Sequence, residues 1–223
     1  MQQMKWRELA GAGTLGRERR VIIGIPNAGR LLDEVVGLMG RTIGLAGGDR
    51  GLWYESDEFV VVCARSTDLP HLAGSGLVDV ILTGYDYVFE ANVELEEIFD
   101  TGFQRCVIGI VGKTTLGDWR QRPELHVATQ YPGITTQFFS QSGMPDCRLL
   151  PISGAAELYV RSGLVDVAVD AYMTGQTAHA NGLVLLDTLF ATSGRVFTRP
   201  GWQSERKNIA HALEVLTNIY TIA

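Results

Sequence analysis

Short apolar runs alternate along the chain with segments whose apolar residues recur at helical spacing. A run that is apolar at nearly every position is typical of a parallel strand buried on both faces. The runs predict strands at 21–25, 59–64, 78–82, 125–129, 148–152 and 165–169. The helical spacing predicts helices at 29–39, from Asp68 as N-cap to 74 or 76, and at 135–141, 154–161 and 203–220. This order of elements predicts an α/β protein.

One hexapeptide occurs twice at corresponding places in this order. Residues 75–80 (SGLVDV) recur as residues 162–167, and a Thr-Gly pair follows each copy, at 83–84 and at 174–175. Each copy predicts a helix closed by a left-handed glycine, a tight turn and a buried strand. The shared order of elements predicts two similar βαβαβ lobes, which place the loops after their strands on the walls of a cleft.

The pattern also predicts where the lobes begin and end. The segment 108–112 would carry the chain into the second lobe, and 183–189 with 195–198 would return it to the first. The predicted parts are a loosely ordered extension at 1–20, lobe I at 21–109 plus 184–223, and lobe II at 110–183.

Composition narrows the class of protein. Hydrophobic residues make up 46% and charged residues 20%, which is typical of a folded globular chain. Lys and Arg number 19 against 25 Asp and Glu, a net charge of −6 that argues against a general nucleic-acid binder. No apolar run has the length of a membrane span, and no apolar segment typical of an export signal lies near the N-terminus. Cys63, Cys106 and Cys147 are widely spaced, which predicts neither a disulfide framework nor a metal site and favours the cytoplasm.

The segment with the most chemistry follows the last predicted strand. Asp170 ends that strand, and the turn Thr174–Thr177 then opens a short helix. Unpaired N–H groups and two hydroxyls at such a turn suit a phosphate monoester. A carboxylate at the strand end suits the two hydroxyls of a ribose. The alternative is a plain capping turn, with Thr174 as N-cap and Asp170 bonded to local backbone.

Residues 170–177 together with 181–183 resemble the phosphoribosyl-pyrophosphate (PRPP) loop of the ATP phosphoribosyltransferase family. Further segments similar to family motifs follow in the same order, at 26–31, 49–52, 65–70, 84–86, 102–106, 128–132 and 153–157. The resemblance covers roughly residues 21 to 200. The length is similar to that of the short form, which has no C-terminal regulatory domain and works with a separate partner subunit.

The resemblance implies two lobes of the periplasmic-binding-protein type (type II) and a reaction. That reaction transfers phosphoribose from PRPP to N1 of ATP, giving phosphoribosyl-ATP and pyrophosphate, in the first step of histidine biosynthesis. It implies Mg²⁺ carried mainly by the pyrophosphate rather than held by protein ligands. It also implies a homodimer and a regulatory subunit similar to histidyl-tRNA synthetase.

The resemblance also implies roles for single residues. Asp170 would bind the ribose, and Arg30 and Arg50 would bind ATP phosphates or the leaving pyrophosphate. Glu157 is a further candidate for the ribose or the metal. The residues expected to hold the 5-phosphate are Thr174, Gly175, Gln176 and Thr177.

Structural alternatives stand beside three of these roles. Arg30 could pair with Asp33, Arg50 could be an ordinary loop arginine, and Glu157 could pair with Arg161 one helical turn away.

Three positions depart from the family pattern. Ala28, Gly51 and Val107 stand where the family commonly has a cation. With fewer cationic side chains, the site would bind two polyphosphates less tightly. An acceptor less charged than ATP, such as another nitrogen heterocycle, is therefore an alternative. A non-catalytic two-lobed subunit that binds a phosphorylated metabolite is the alternative from another class.

Overall fold

The chain forms two compact units. Residues 1–104 together with 193–223 make the first unit, and residues 105–192 make the second. The computed structural model describes residues 20–39, 51–143, 146–205 and 207–222. The extension predicted at 1–20 therefore lies outside the described residues except for Arg20.

Strands and helices alternate as the apolar runs predict. In chain order the strands are β1 (Val21–Pro26), β2 (Trp53–Glu55), β3 (Phe59–Ala64), β4 (Val80–Gly84), β5 (Glu96–Asp100), β6 (Cys106–Gly112), β7 (Leu125–Thr129), β8 (Cys147–Pro151), β9 (Val167–Tyr172), β10 (Val184–Thr192) and β11 (Gly194–Thr198). The α-helices are α1 (Arg30–Met39), α2 (Leu69–Ser75), α3 (Tyr85–Ala91), α4 (Pro132–Gln141), α5 (Ala156–Ser162), α6 (Gln176–Ala180), α7 (Trp202–Glu205) and α8 (Lys207–Ile222). The predicted α/β class is confirmed.

Each unit is built on its own mixed sheet. The first sheet has the order β2-β3-β1-β4-β11-β5, in which β3, β1 and β4 pair in parallel and the other pairs of neighbours are antiparallel. The second has the order β10-β6-β9-β7-β8, in which β9, β7 and β8 are parallel. Parallel strands place their carboxyl ends at the same edge, so each unit gathers the loops after its parallel strands there.

Strand β1 is covered on both faces, as its apolar run predicts. Val21, Ile23 and Ile25 pack in a cluster that also contains Ile209 and Leu213 of α8. Ile22, on the other face, packs in a cluster with residues of α2 and α3. Within the described residues, no helix is long and apolar enough to cross a membrane.

The repeated hexapeptide forms the same structure in both units. Gly76 and Gly163 both have φ +78°, and they close α2 and α5 in the left-handed conformation. The aspartate that follows bonds the start of a neighbouring strand twice. Asp79 donates its N–H to the Ile22 carbonyl, and its Oδ2 accepts the Ile22 N–H at 2.9 Å. Asp166 makes the same pair of bonds with His126, its Oδ2 accepting the N–H at 2.9 Å.

This turn explains why two strands begin later than predicted. Val78 and Val165 are buried, but their N–H groups bond the last turns of α2 and α5 at the carbonyls of Leu72 and Tyr159. Their apolar character predicts strands that begin at these valines, whereas β4 begins at Val80 and β9 at Val167.

The helix after β7 begins earlier than predicted, since α4 starts at Pro132 rather than at 135. Proline is well suited to the first turn of a helix.

The chain passes between the units at a pair of hydrogen-bonded strands. β6 and β10 pair antiparallel within the second sheet, with Cys106 opposite Thr192. The second unit therefore runs from 105 to 192, several residues beyond the predicted 110–183, because both crossing strands add to its sheet. Residues 183–189 do not return the chain to the first unit. That return follows Thr192, where the Gly194 N–H bonds the Phe103 carbonyl at 2.9 Å.

Candidate active site

Loops from β7, β8 and β9 emerge at one edge of the second sheet. Thr129, the last residue of β7, lies opposite Val169 on one side and Pro151 on the other. The residues that follow these strands are Gln130 after β7, the segment 152–155 after β8 and the segment 173–175 after β9. The predicted sugar-phosphate turn therefore lies beside two further loops.

Asp170 lies near the end of β9 and is half-buried. Its Oδ1 accepts the side-chain amide N–H of Gln130 at 3.0 Å and the backbone N–H of Ala171 at 2.8 Å. The carboxylate is thus bonded to local backbone, as the capping alternative supposes, and also to a side chain from another strand. Such a fixed carboxylate can accept hydroxyl donors of a sugar.

The loop that carries Gln130 is tied to the start of α4. Thr129 Oγ1 accepts the Tyr131 N–H at 2.8 Å and lies 3.0 Å from Thr135 Oγ1. The Thr135 hydroxyl bonds the Tyr131 carbonyl at 2.6 Å, and Tyr131 is buried. These bonds fix the backbone on both sides of Gln130.

The turn after β9 presents polar groups on the surface. Thr174, Gln176 and Thr177 are exposed, whereas Gly175 is buried with φ +71°. The Gln176 N–H lies 3.4 Å from Thr174 Oγ1. The helix begins at Gln176 with Gly175 as its N-cap and without a side-chain cap bond, so the N-cap role suggested for Thr174 is wrong. The first N–H groups of a helix have no acceptor within it, so this turn can offer amides and hydroxyls to an anion.

Gly175 is required by its conformation and by its surroundings. A Cβ there would lie 2.1 Å from the Tyr172 hydroxyl oxygen. The positive φ costs an alanine about 1–2 kcal/mol. The turn therefore favours glycine for its backbone conformation, and a side chain at 175 would also displace the Tyr172 hydroxyl.

We expect Gly175→Ala to weaken the binding of Mg·PRPP about tenfold, since a strain of about 1.4 kcal/mol confined to the loop equals that factor. Isothermal titration calorimetry measures the affinity. Gly163→Ala is the matched control, because Gly163 has φ +78° with no atom within 4 Å of its Cβ position and lies outside the turn. Equal PRPP affinities of Gly175→Ala and the parent would contradict the expectation.

Glu157 lies in the first turn of α5, after a strained loop. Gly154 has φ +153°, and Ala155, the N-cap of α5, has φ +54°. A left-handed non-glycine residue is uncommon and is found preferentially at functional sites. Arg161 bonds Asn181 Oδ1 at 3.3 Å, which links α5 to the residue that ends α6.

In the first unit, the structure describes only part of the predicted cationic site. Arg30 begins α1 after Gly29 (φ +86°), but its side chain lies outside the described residues. Arg50 lies outside them entirely. Asp68 occupies the N-cap position of α2 without a side-chain cap bond, since its φ and ψ of −91° and −27° are helical rather than extended.

No cluster of His, Cys, Asp or Glu that could hold a metal ion occurs among the described residues. The cysteines are free thiols. Burial, with the neighbouring Asp146, raises the pKa of the Cys147 thiol, which disfavours the reactive thiolate. His126 lies 3.4 Å from Asp166 at a partly exposed position, and His211 lies 3.7 Å from Glu58 at an exposed one.

Similarity to known proteins shows to which family the chain belongs. The family model described as ATP phosphoribosyltransferase (HisG) matches residues 65–218. The chain belongs to the ATP phosphoribosyltransferase family. Within that match lie Asp170, Gln130, Glu157 and the turn 174–177, whereas Arg30 and Arg50 precede it.

Relatives named ATP phosphoribosyltransferase are about one third identical to the chain over the aligned residues. The protein of Gemmatimonas aurantiaca is 37% identical over 186 residues, covering 79% of this chain and 63% of the relative. That of Alkaliphilus metalliredigens is 33% identical over 175 residues, covering 75% of this chain and 82% of the relative. The chain thus spans less than two thirds of the first relative and four fifths of the second.

Solved structures show the same fold. The ATP phosphoribosyl transferase (HisG:HisZ) complex from Thermotoga maritima matches with a TM-score of 0.81 at 25% identity, over 91% of this chain and 100% of that one. A histidine kinase sensor domain similar to periplasmic binding proteins matches with a TM-score of 0.56 at 17% identity, over 92% and 94%. The latter likeness concerns the fold alone, and it supports the predicted two-lobed architecture.

The positions that depart from the ATP phosphoribosyltransferase pattern have structural consequences. The Tyr54 hydroxyl bonds the Gly51 carbonyl at 2.9 Å, and a Cβ on Gly51 would lie 2.7 Å from that hydroxyl oxygen. Tyr54 thus takes the space in which a longer residue at 51 would begin. Val107 is half-buried on β6 opposite Tyr172, while Ala28 is exposed after β1.

Sequence reasoning missed two residues of this edge, Gln130 and Tyr172. Gln130 follows a predicted strand directly, which is the available signal, since polar residues after parallel strands are frequent ligands. Tyr172 stands out in the sequence only by its bulk, because its packing against Gly175 depends on the bend at the end of β9.

Proposed function

We propose that the protein transfers phosphoribose from PRPP to N1 of ATP, the first step of histidine biosynthesis. The bond between ribose C1 and the pyrophosphate oxygen breaks, and its electron pair leaves with pyrophosphate. The lone pair of adenine N1 forms the new bond to C1. N1 carries no proton to remove, so the reaction needs orientation and charge stabilisation rather than a general base.

The observation that carries this proposal is the Asp170 carboxylate, which Gln130 holds near the end of β9 within the residues that the family model matches. Asp170 would accept the ribose hydroxyls, and the neighbouring turn would bind the 5-phosphate through amides and hydroxyls. The proposed phosphate ligands are Thr174, Gly175, Gln176 and Thr177. Glu157, in the first turn of α5 after the loop that follows β8, is proposed as a further ligand of the ribose.

Two arginines of the first unit are proposed as ligands of the polyphosphates. Arg30 and Arg50 would neutralise ATP phosphates and the leaving pyrophosphate, for which planar guanidinium groups are suited. Magnesium would enter as part of the substrate, Mg·PRPP, with the pyrophosphate and water as its ligands.

We also propose a homodimer that works with a separate regulatory subunit in the cytoplasm. The Thermotoga maritima protein, similar over 91% of this chain, was solved as a HisG:HisZ complex. A subunit similar to histidyl-tRNA synthetase, encoded in the same genome, is the proposed partner.

The test incubates the protein with PRPP, Mg²⁺ and ATP, with and without that subunit. Pyrophosphate release gives the rate, and mass spectrometry identifies the nucleotide. ATP-dependent formation of phosphoribosyl-ATP is the expected result. Transfer to another nitrogen base but not to ATP would show that ATP is not the acceptor. PRPP binding without transfer to any acceptor would show that the protein is a binding subunit.

A further inference from the structure

The hydrogen bond between Gln130 and Asp170 joins two neighbouring strands at the proposed ribose site. The Gln130 amide nitrogen lies 3.0 Å from Asp170 Oδ1. In the parallel register of β7 and β9, Thr129 lies opposite Val169, so Gln130 and Asp170 are the next residues along. Their contact therefore follows from strand order and requires no movement of either loop.

The chemistry of the pair fixes the orientation of both groups. An ionised carboxylate only accepts hydrogen bonds, so Gln130 must present its NH₂ group. Asp170 Oδ1 then receives two donors, the Gln130 amide and the Ala171 N–H. Two donors on one oxygen, from different directions, restrict rotation of the carboxylate about its side-chain bonds.

The backbone around Gln130 is rigid enough to impose that orientation. Thr129, Tyr131 and Thr135 form the hydrogen bonds that fix the loop, and Pro132 begins α4 directly afterwards. On the other side of Asp170, the opposite residue on β6 is Gly109, which brings no side chain. Of the two strands beside β9, only β7 thus brings a side chain to Asp170 at this position, and the loop that carries this side chain is held by hydrogen bonds.

We infer that Gln130 is a positioning residue, which holds the Asp170 carboxylate in the orientation that accepts the ribose hydroxyls of PRPP. The inference rests on the proposed function. A neutral donor suits this task, because it fixes the carboxylate without forming the ion pair that a lysine or arginine would form there. Such an ion pair would compete with the sugar for the carboxylate oxygens.

Gln130→Glu tests this inference through pH. Two carboxylates about 3 Å apart cannot both ionise readily, so the pair shares a proton at lower pH and repels at higher pH. The introduced carboxyl group, while protonated, can donate to Asp170 as the amide does. We expect PRPP affinity within about threefold of the parent near pH 5, and at least about tenfold weaker near pH 8.

The measurement is calorimetric titration of Mg·PRPP at several pH values, expressed as the ratio of variant to parent affinity so that ionisation of PRPP cancels. Gln137→Glu on the exposed side of α4 is the matched control, with the same change of charge and a pH-independent ratio expected. A ratio for Gln130→Glu that is equally independent of pH would overturn the inference.

A second variant, Gln130→Met, removes the donor while keeping a side chain of similar length. We expect about tenfold weaker PRPP binding at every pH, with a melting temperature close to that of the parent. Parent-like binding by this variant would also overturn the inference. If the parent itself does not bind PRPP, the proposed function fails instead, so the two failures are distinguishable.

Discussion

Asp170→Asn is expected to weaken the binding of Mg·PRPP about a hundredfold while leaving the second unit folded. The substitution removes the negative charge and turns one acceptor into a donor, so at least one ribose hydroxyl loses its partner. Loss of charge-assisted hydrogen bonds worth about 3 kcal/mol corresponds to that factor. The asparagine Oδ1 can still accept from Gln130 and Ala171, which keeps the local structure.

Calorimetric titration measures the affinity, and thermal unfolding checks the fold. Asp187→Asn is the matched control, because Asp187 Oδ1 also accepts the N–H of the next residue, Thr188, at 2.8 Å. Its other oxygen pairs with Arg120 on the surface, and Asp187 lies on β10, outside the turn. An Asp170→Asn protein that binds PRPP as tightly as the parent would remove Asp170 from the ribose site.

Asp79→Ala is expected to lower the free energy of unfolding by about 2–3 kcal/mol, because the buried Ile22 N–H loses its side-chain acceptor. Asp79 is 1% exposed, and the Thr198 hydroxyl also bonds its carbonyl. Asp166 makes the same backbone contact with His126 at a partly exposed position, and its Oδ1 also forms a surface ion pair with Arg122 at 2.7 Å, which contributes little. Water can replace that acceptor, so Asp166→Ala is expected to cost only about 1 kcal/mol.

Urea denaturation followed by circular dichroism gives both free energies, and hydrogen exchange of the Ile22 amide reports the bond directly. Asp79→Asn retains an oxygen acceptor and is expected to recover most of the stability. Equal losses for Asp79→Ala and Asp166→Ala would show that burial does not govern this contact.

The sequence predicts the fold well where burial and backbone conformation agree. Val21–Pro26 is apolar, buried on both faces and a strand, as its pattern indicates. The apolar pattern wrongly predicts strand at Val78 and Val165. A buried valine is compatible with the turn that closes a helix as well as with a strand. The apolar run that begins at 183 gives no indication of its sheet, because its strand partners lie 72 to 86 positions away.

Some features of the candidate site could likewise be predicted from the sequence, and others could not. Asp170 and the turn at 174–177 could be recognised, because Asp170 lies near the end of a predictable strand and the turn comes shortly after it. The bond from Gln130 could not, since nothing in the sequence states that β7 lies beside β9. The clash between Tyr172 and a side chain at 175 depends on three-dimensional packing in the same manner.

The pairing of Cys106 with Thr192 has a practical consequence for protein engineering. Both ends of the second unit leave its sheet side by side, so that unit is an insertion with adjacent termini. Residues 105–192 are one uninterrupted stretch of chain, so a fragment that contains the second unit needs no chain break. The remaining gap can be closed with a short linker between Phe103 and Gly194, which are already hydrogen-bonded.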